Sequence, residues 1–154
     1  MQTAQLPHID EHATAIAAGV DVVWPTLVET LDQAFSRAVT ASYARAVGCA
    51  DCTASGPRPL VEGSTIPGFR VVAAIPAREL VLEGHHRFSS YALIFRLERV
   101  GSGRSQLRAE SRAVFPGLSG GVYRLLIIGT GGHTVAVRRL LSATRRRSEL
   151  RTRS

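Results

Sequence analysis

Neither lysine nor asparagine occurs in the 154 residues, so all 19 permanently cationic side chains are arginine. A GC-rich coding bias accounts for that choice, but the absence has a chemical consequence. Without an amine side chain there is no lysine Schiff base and no lysine-bearing phosphate loop. Long apolar runs are missing too. Asp21 interrupts one candidate stretch and Arg124 another, short of the ~18 uninterrupted apolar residues of a membrane-crossing helix. Met1 to His12 lack the basic start and apolar run of a secretory signal, and the chain reads as cytoplasmic, with no transmembrane segment. Cysteine is confined to Cys49 and Cys52. Their C-x-x-C spacing suits thiol exchange or half a zinc site. The first lacks its βαβ context, and the five histidines supply no recognisable partner spacing for the second. An incidental thiol pair or an opportunistic disulfide remains, and neither metal nor cofactor is expected.

What is present describes one globular unit. The length suits a single domain with its own core, and 45% hydrophobic against 20% charged residues argues against wholesale disorder. The net charge of +7 is unevenly placed: five arginines against Glu149 give the last ten residues +4 and leave the rest only +3. A terminal basic run is the usual end of a helix or a frayed tail. A nucleic-acid surface would instead array basic residues and stacking aromatics over a folded face, so nucleic acid is not the expected partner. We expect one domain over residues 1–147 and a basic tail over 148–154, in an oligomeric state the sequence leaves open.

The hydrophobic period changes along the chain. His8 to Ala17 alternates as a strand. Asp21 is placed to cap a helix, and Val23, Leu27, Leu31, Phe35, Val39 and Tyr43 then recur at helical spacing. Val20 to Val47 is long for one helix, so two are expected, meeting near Phe35–Val39. Cys49 to Gly68, rich in Gly and Pro, is loop with one short edge strand. From Phe69 the period is two: Phe69–Ile75, a strand from Glu79, another through Tyr91–Leu97, a turn at Gly101–Gly103, and Ser105–Phe115. The turn between Gly84 and Ser90 is not fixed by the sequence. Val122 to Arg147 returns to helical spacing, with Leu126, His133, Val137, Leu140 and Leu141 on one stripe. Hairpin-linked strands beside segregated helices give an α+β class.

Four segments carry a further likeness: HATAIAAGVDVVWPTLVE, STIPGFRVV, LVLEGHHRFSSYALIFRLE and LRAESRAVFPGLSGGVYRLL. Over about residues 8–147 the chain resembles the START-like (SRPBCC) superfamily, and within it the polyketide cyclase/dehydrase-type proteins. The resemblance implies a helix-grip fold, in which a curved antiparallel sheet wraps a long C-terminal helix over a deep cavity. It also implies a lipid, sterol or aromatic polyketide as ligand, in a superfamily of which only some members are enzymes.

Candidate cavity residues follow from the strand alternation if the concave face is the apolar one. They are Tyr91, Phe95, Leu107 and Ser111 from strands, with Leu126 and His133 from the helical stripe and Tyr123 at the mouth. His86 joins them if it lies on its strand, where an imidazole could act on a carbonyl ligand; otherwise it is an exposed turn residue. A lone histidine on an apolar stripe is also an ordinary core residue, so His133 keeps both readings. The same side chains could instead fill a dry core. Asp10, Glu11 and Glu110 form no catalytic pair, Glu110 reading as a rung of a solvated ladder between Arg108 and Arg112. Gly129–Gly132 lacks the parallel strand of a nucleotide loop and reads as a thinning of the helix. No catalytic residue is assigned. The expectation is a small hydrophobic ligand held without turnover. Alternatives are a cyclase or dehydratase using His86 or His133, and a packed-core interaction protein using its basic tail.

Overall fold

The backbone follows both hydrophobic periods. A computed structural model describes residues 3–127 and 131–154, without the side chains of residues 4, 38, 39, 41, 126 and 127. After a short 3₁₀ turn at Thr3–Gln5, strand β1 (His8–Ile16) leads into helices α1 (Val20–Phe35) and α2 (Ala38–Ala46). The helical stretch thus breaks where its length predicted. Strands β2 (Thr65–Ile66), β3 (Phe69–Ile75), β4 (Glu79–His86), β5 (Ser89–Gly101) and β6 (Arg104–Val114) follow, then helices α3 (Gly117–Ile127) and α4 (Gly132–Arg153). No described helix is long and apolar enough to cross a membrane.

Three local expectations are corrected. Gly19, not Asp21, is the N-cap of α1; a Cβ there would stand 2.5 Å from Asp21 Oδ1. Asp21 sits in the first turn, where its charge faces the positive helix end. The single helix expected over Val122–Arg147 is two helices, and Gly117–Gly121 opens the first of them. Gly131, at the N-cap of α4, has φ 74°, a left-handed conformation that a side chain disfavours; this part of the glycine cluster opens a helix rather than thinning one. Gly129 and Thr130 lie outside the described residues. Finally, residues 148–154 are no loose tail: α4 continues to Arg153, and Ser148 is fully buried.

The six strands form one antiparallel sheet in the order β1-β6-β5-β4-β3-β2, with register shifts in β1, β3 and β5 that bend and twist it. The β4–β5 hairpin turns at Arg87–Phe88, pairing His86 with Ser89, so His86 is on its strand. Alternation decides the faces. Gly84, Leu82 and Leu80 of β4 pair with Tyr91, Leu93 and Phe95, and these with Ala113, Ser111 and Ala109 of β6. This apolar face receives Val23, Leu27 and Leu31 of α1 and Val137, Leu140 and Leu141 of α4 in one core. Each such aliphatic side chain contributes ~1.5–3 kcal/mol by leaving water.

The opposite face carries charge, yet Glu110 is no solvated rung. It is 5% exposed, and Arg96 (2.8 Å), Arg112 (2.8 Å) and His8 (3.0 Å) converge on its carboxylate. Burial alone would push its pKa up; the hydrogen bonds from Arg96, His8 and Arg112 overcome that and hold it at about 2. The expectation of a solvated rung failed because the pairing of β1, β5 and β6 sets two guanidinium groups and an imidazole around one carboxylate.

Candidate ligand cavity

Between the concave face of the sheet and helices α2, α3 and α4 lies an apolar cavity of about 240 Å³. Small side chains make the space. Ala44 of α2, Gly68 of the β2–β3 turn, Ala113 of β6 and Ala136 of α4 all line it, where larger residues would close the gap by packing.

Aromatic rings form its wall. All the chain's Phe, Tyr and Trp residues except Trp24 and Phe95 gather here. Phe35 meets Phe69 edge-on at 5.1 Å, Phe69 meets Tyr91 at 5.2 Å, Tyr91 meets His86 at 5.3 Å, and His86 meets Tyr123 at 4.9 Å. Phe88 then stacks on Tyr123 at 5.4 Å. Edge-to-face and offset contacts at these spacings suit the ring quadrupoles. The small aromatic fraction of the sequence is thus concentrated at one place.

Polar groups within the wall are few and held. The Tyr91 hydroxyl donates to Gly68 O at 2.6 Å, with Cys49 Sγ at 3.6 Å. Burial raises the Tyr91 phenol far above its usual range, and the Cys49 contact adds to it; burial likewise raises the Cys49 thiol. Neither group supplies an anion near neutral pH. Tyr123 shares a hydrogen bond with Tyr43 of α2, and burial raises its phenol as well. Cys49 and Cys52 are both free thiols; Cys52 donates to Cys49 O at 2.7 Å.

His86 is fixed as a neutral donor. Its Nδ1 accepts the Phe88 backbone N–H at 3.1 Å, which leaves the proton of the neutral ring on Nε2. Burial, assisted by neighbouring His85, lowers its pKa below the ordinary histidine value. The ring therefore offers one N–H and little basicity.

His133, in the first turn of α4, is the more reactive arrangement. Its Nε2 lies 2.8 Å from Ser111 Oγ on β6 and 3.4 Å from Asp10 Oδ1 on β1. Asp10 Oδ2 is 3.2 Å from His12 Nε2, while its buried Oδ1 has no hydrogen-bond partner. This is not a nucleophile–base–orienter triad, because hydroxyl and carboxylate meet the same ring nitrogen instead of opposite ones. It is a hydroxyl and an imidazole on the cavity wall, with a carboxylate outside the lining that approaches the same ring nitrogen.

The structure brings together His86, Tyr91, Ser111, Tyr123 and His133 around this space. Phe95 and Leu107 are not part of the lining. At 1% and 0% exposure they fill the core, farther along the same sheet face, where α1 packs against it; alternation chose their face correctly but could not tell cavity from core. The Leu126 side chain lies outside the described residues. Sequence reading missed Cys49, Phe35 and Phe69, since the first sat in a stretch read as loop and the others read as ordinary core positions. The gathering of scarce aromatics at element ends was the available signal. Among the described residues no cluster of three or more His, Cys, Asp or Glu is arranged to hold a metal.

Neither a protein-family model nor a curated protein matches the sequence. Solved structures do match. The chain superposes on the Zhui aromatase/cyclase from Streptomyces sp. R1128 with a TM-score of 0.61 at 16% identity, covering 97% of this chain and 98% of that one. The two chains share one architecture, a curved antiparallel sheet around a long C-terminal helix. Protein CV1439 from Chromobacterium violaceum gives 0.56 at 9% identity, over 93% and 99% of the two chains. CalU16 from Micromonospora echinospora gives 0.51 at 16%, over 91% and 83%. At these identities the likeness concerns architecture, so the cavity must be interpreted from its own residues.

Proposed function

We propose that this START-like chain binds a small, largely apolar molecule with an aromatic part in the cavity between sheet and helices. The observation that carries the reading is the apolar space walled by linked aromatic rings. Its volume of about 240 Å³ falls just below the ~300–1,000 Å³ of sites that engulf drug-sized ligands, which favours a compact occupant over a long acyl chain. Tyr91, Tyr123 and His86 supply ring surface. His86 Nε2–H and the Ser111 hydroxyl supply the few polar contacts that orient a ligand. One similar structure is an aromatase/cyclase, which supports the same chemical class.

Native mass spectrometry of the purified protein, followed by identification of whatever is released, tests this reading. A second arm titrates the neutral fluorophore N-phenyl-1-naphthylamine into the wild type and an Ala113→Leu variant, whose larger side chain occupies the cavity. We expect binding to the wild type and at least a tenfold loss in the variant. An empty spectrum together with no fluorophore binding would sink the proposal.

A second reading is favoured by the Asp10–His133–Ser111 arrangement. In it His133 takes a proton from a carbonyl ligand and returns it, while Asp10 stabilises the imidazolium. Cyclisation or dehydration of a polyketide-like substrate is the reaction class. Turnover of such a substrate that His133→Gln abolishes while leaving its binding intact is the result that would establish it.

A further inference from the structure

On the outer side of the same helices lies an open groove of about 700 Å³. One rim is a stripe of α4, with Val135, Arg138, Arg139, Ser142 and Arg146 at helical spacing; Thr30 and Gln33 of α1 and Arg37, at the start of α2, form the other. Ala34, Phe35, Leu140 and Ala143 give it an apolar floor. Phe35, Thr40, Ala136 and Leu140 line both the groove and the inner cavity, so the two spaces share a wall at the junction of α1, α2 and α4.

The groove is cationic without compensation. No acidic residue lines it, and the sequence from Ser111 to Ser148 contains neither Asp nor Glu. The acids of neighbouring α1 are engaged elsewhere: Glu29 with Arg151 at 2.6 Å and Asp32 with Arg58 at 2.9 Å. Among the described residues Arg37, Arg138, Arg139 and Arg146 have no acidic partner, while Arg147 bonds the Thr30 hydroxyl at 3.3 Å and lies near enough to Glu29 to help lower its pKa. Guanidinium groups crowded on two facing rims repel one another unless an anion lies between them, and their planar forks suit carboxylate and phosphate oxygens.

We propose that the ligand of this protein is an amphipathic anion. Its apolar body enters the aromatic cavity past Phe35, Ala136 and Leu140, and its carboxylate or phosphate end stays in the groove between Arg37 and Arg138, Arg139 and Arg146. The proposal rests on the ligand-binding reading above and adds the charge of the ligand and the place of its charged end. A nucleic acid fits less well, because the groove offers no exposed aromatic platform for bases.

Two fluorophores differing by one sulfonate test it: 8-anilinonaphthalene-1-sulfonate and the neutral N-phenyl-1-naphthylamine. Each is titrated into the wild type, an Arg138→Gln/Arg139→Gln pair, and an Arg99→Gln/Arg104→Gln pair that removes the same charge outside the groove. We expect the groove pair to weaken the sulfonate at least tenfold, to change the neutral probe less than twofold, and the control pair to change neither that much. High ionic strength should weaken only the anionic probe. Equal losses for both probes in the groove pair, no loss for either, or an equal sulfonate loss in the control pair would overturn the proposal. Inorganic phosphate is the third arm. Displacement of the sulfonate by phosphate as strong as by 1-naphthoate would make the groove a site for free anions and overturn the amphipathic ligand. A neutral probe that ignores Ala113→Leu marks a different failure, that of the cavity reading, while the effect of the arginine pairs remains separately readable.

Discussion

Tyr91 lies directly across the β4–β5 ladder from Gly84, so close that a Cβ on residue 84 would stand 2.5 Å from Tyr91 Cε2 and 2.1 Å from Gly68 O. The absent side chain is what lets the ring lie down and its hydroxyl reach Gly68. Gly84→Ala should therefore displace Tyr91 and break that hydrogen bond. Overpacking of this kind costs ~1–3 kcal/mol, and the lost bond about 1 kcal/mol more. Chemical denaturation of Gly84→Ala and Tyr91→Phe checks it: the first should lose clearly more stability than the second, and equal losses would mean the ring tolerates the added methyl.

The end of α4 should matter more than a basic tail would. Thr144 and Ser148 are fully buried, Glu149 accepts the Ala17 N–H at 2.9 Å, and Arg151 reaches both Thr26 and Glu29 of α1. The Glu149 and Glu29 carboxylates are both held below their usual pKa, the first chiefly by the Ala17 N–H and the second chiefly by Arg151. Removing residues 145–154 would strip this packing from α1, and thermal unfolding should show a drop of at least several degrees. A truncated chain with unchanged melting would return these residues to the status of a solvated tail.

Much of this architecture was legible because two periods were. Alternation in Tyr91–Leu97 and Ser105–Phe115 assigned the faces of β5 and β6, and helical spacing with a length argument placed the α1–α2 break near Phe35–Val39. What escaped depended on contacts distant in sequence. Nothing local distinguishes Phe95, in the core, from Tyr91, on the cavity; the difference lies in whether α1 or the smaller residues of α2 and α4 stand opposite. Glu110 looked solvated because its neighbours in sequence are arginines, whereas Arg96 and His8 reach it from two other strands. Asp10 and His133 are 123 positions apart, and only the closure of β1 against β6 and α4 sets them side by side.

Ser111→Ala removes the one hydroxyl that β6 offers His133. The pair spans the sheet and the first turn of α4, so its loss should cost about 1 kcal/mol, the net worth of an ordinary hydrogen bond. Binding of the neutral fluorophore should persist, because the ring wall is untouched. His133→Leu puts an apolar side chain in place of the imidazole 3.4 Å from Asp10 Oδ1, an oxygen already buried without a hydrogen-bond partner, so it should destabilise more than Ser111→Ala. Calorimetry of both variants decides the order; a more stable Leu variant would show that Asp10 finds water or another partner without the imidazole.

Acid should erode stability from two starting points, pH 6.5 for His86 and pH 4.5 for the depressed carboxylates, of which Glu110 is shifted far enough to dominate. His86 is buried neutral, so its folded pKa lies below the unfolded value of 6.5. Its contribution is complete above pH 6.5 and is lost as falling pH lets the unfolded chain take up the proton first. Glu110 has a folded pKa of about 2 against 4.5 unfolded; its contribution is complete above pH 4.5 and fades as the pH falls from there towards 2. The sign is the same for both groups, since in each case the unfolded state binds the extra proton. Glu110→Gln should cost about 1–3 kcal/mol at neutral pH, the order expected of a shift this size in a buried ion-paired group. It should also flatten the stability profile below pH 4.5 while leaving the decline that begins at pH 6.5 in place, and His86→Phe should remove that earlier decline instead. Denaturant midpoints measured across that range would separate the two, and a Glu110→Gln profile as steep as the wild type below pH 4.5 would show that the Arg96–Glu110–Arg112 cluster does not govern acid stability.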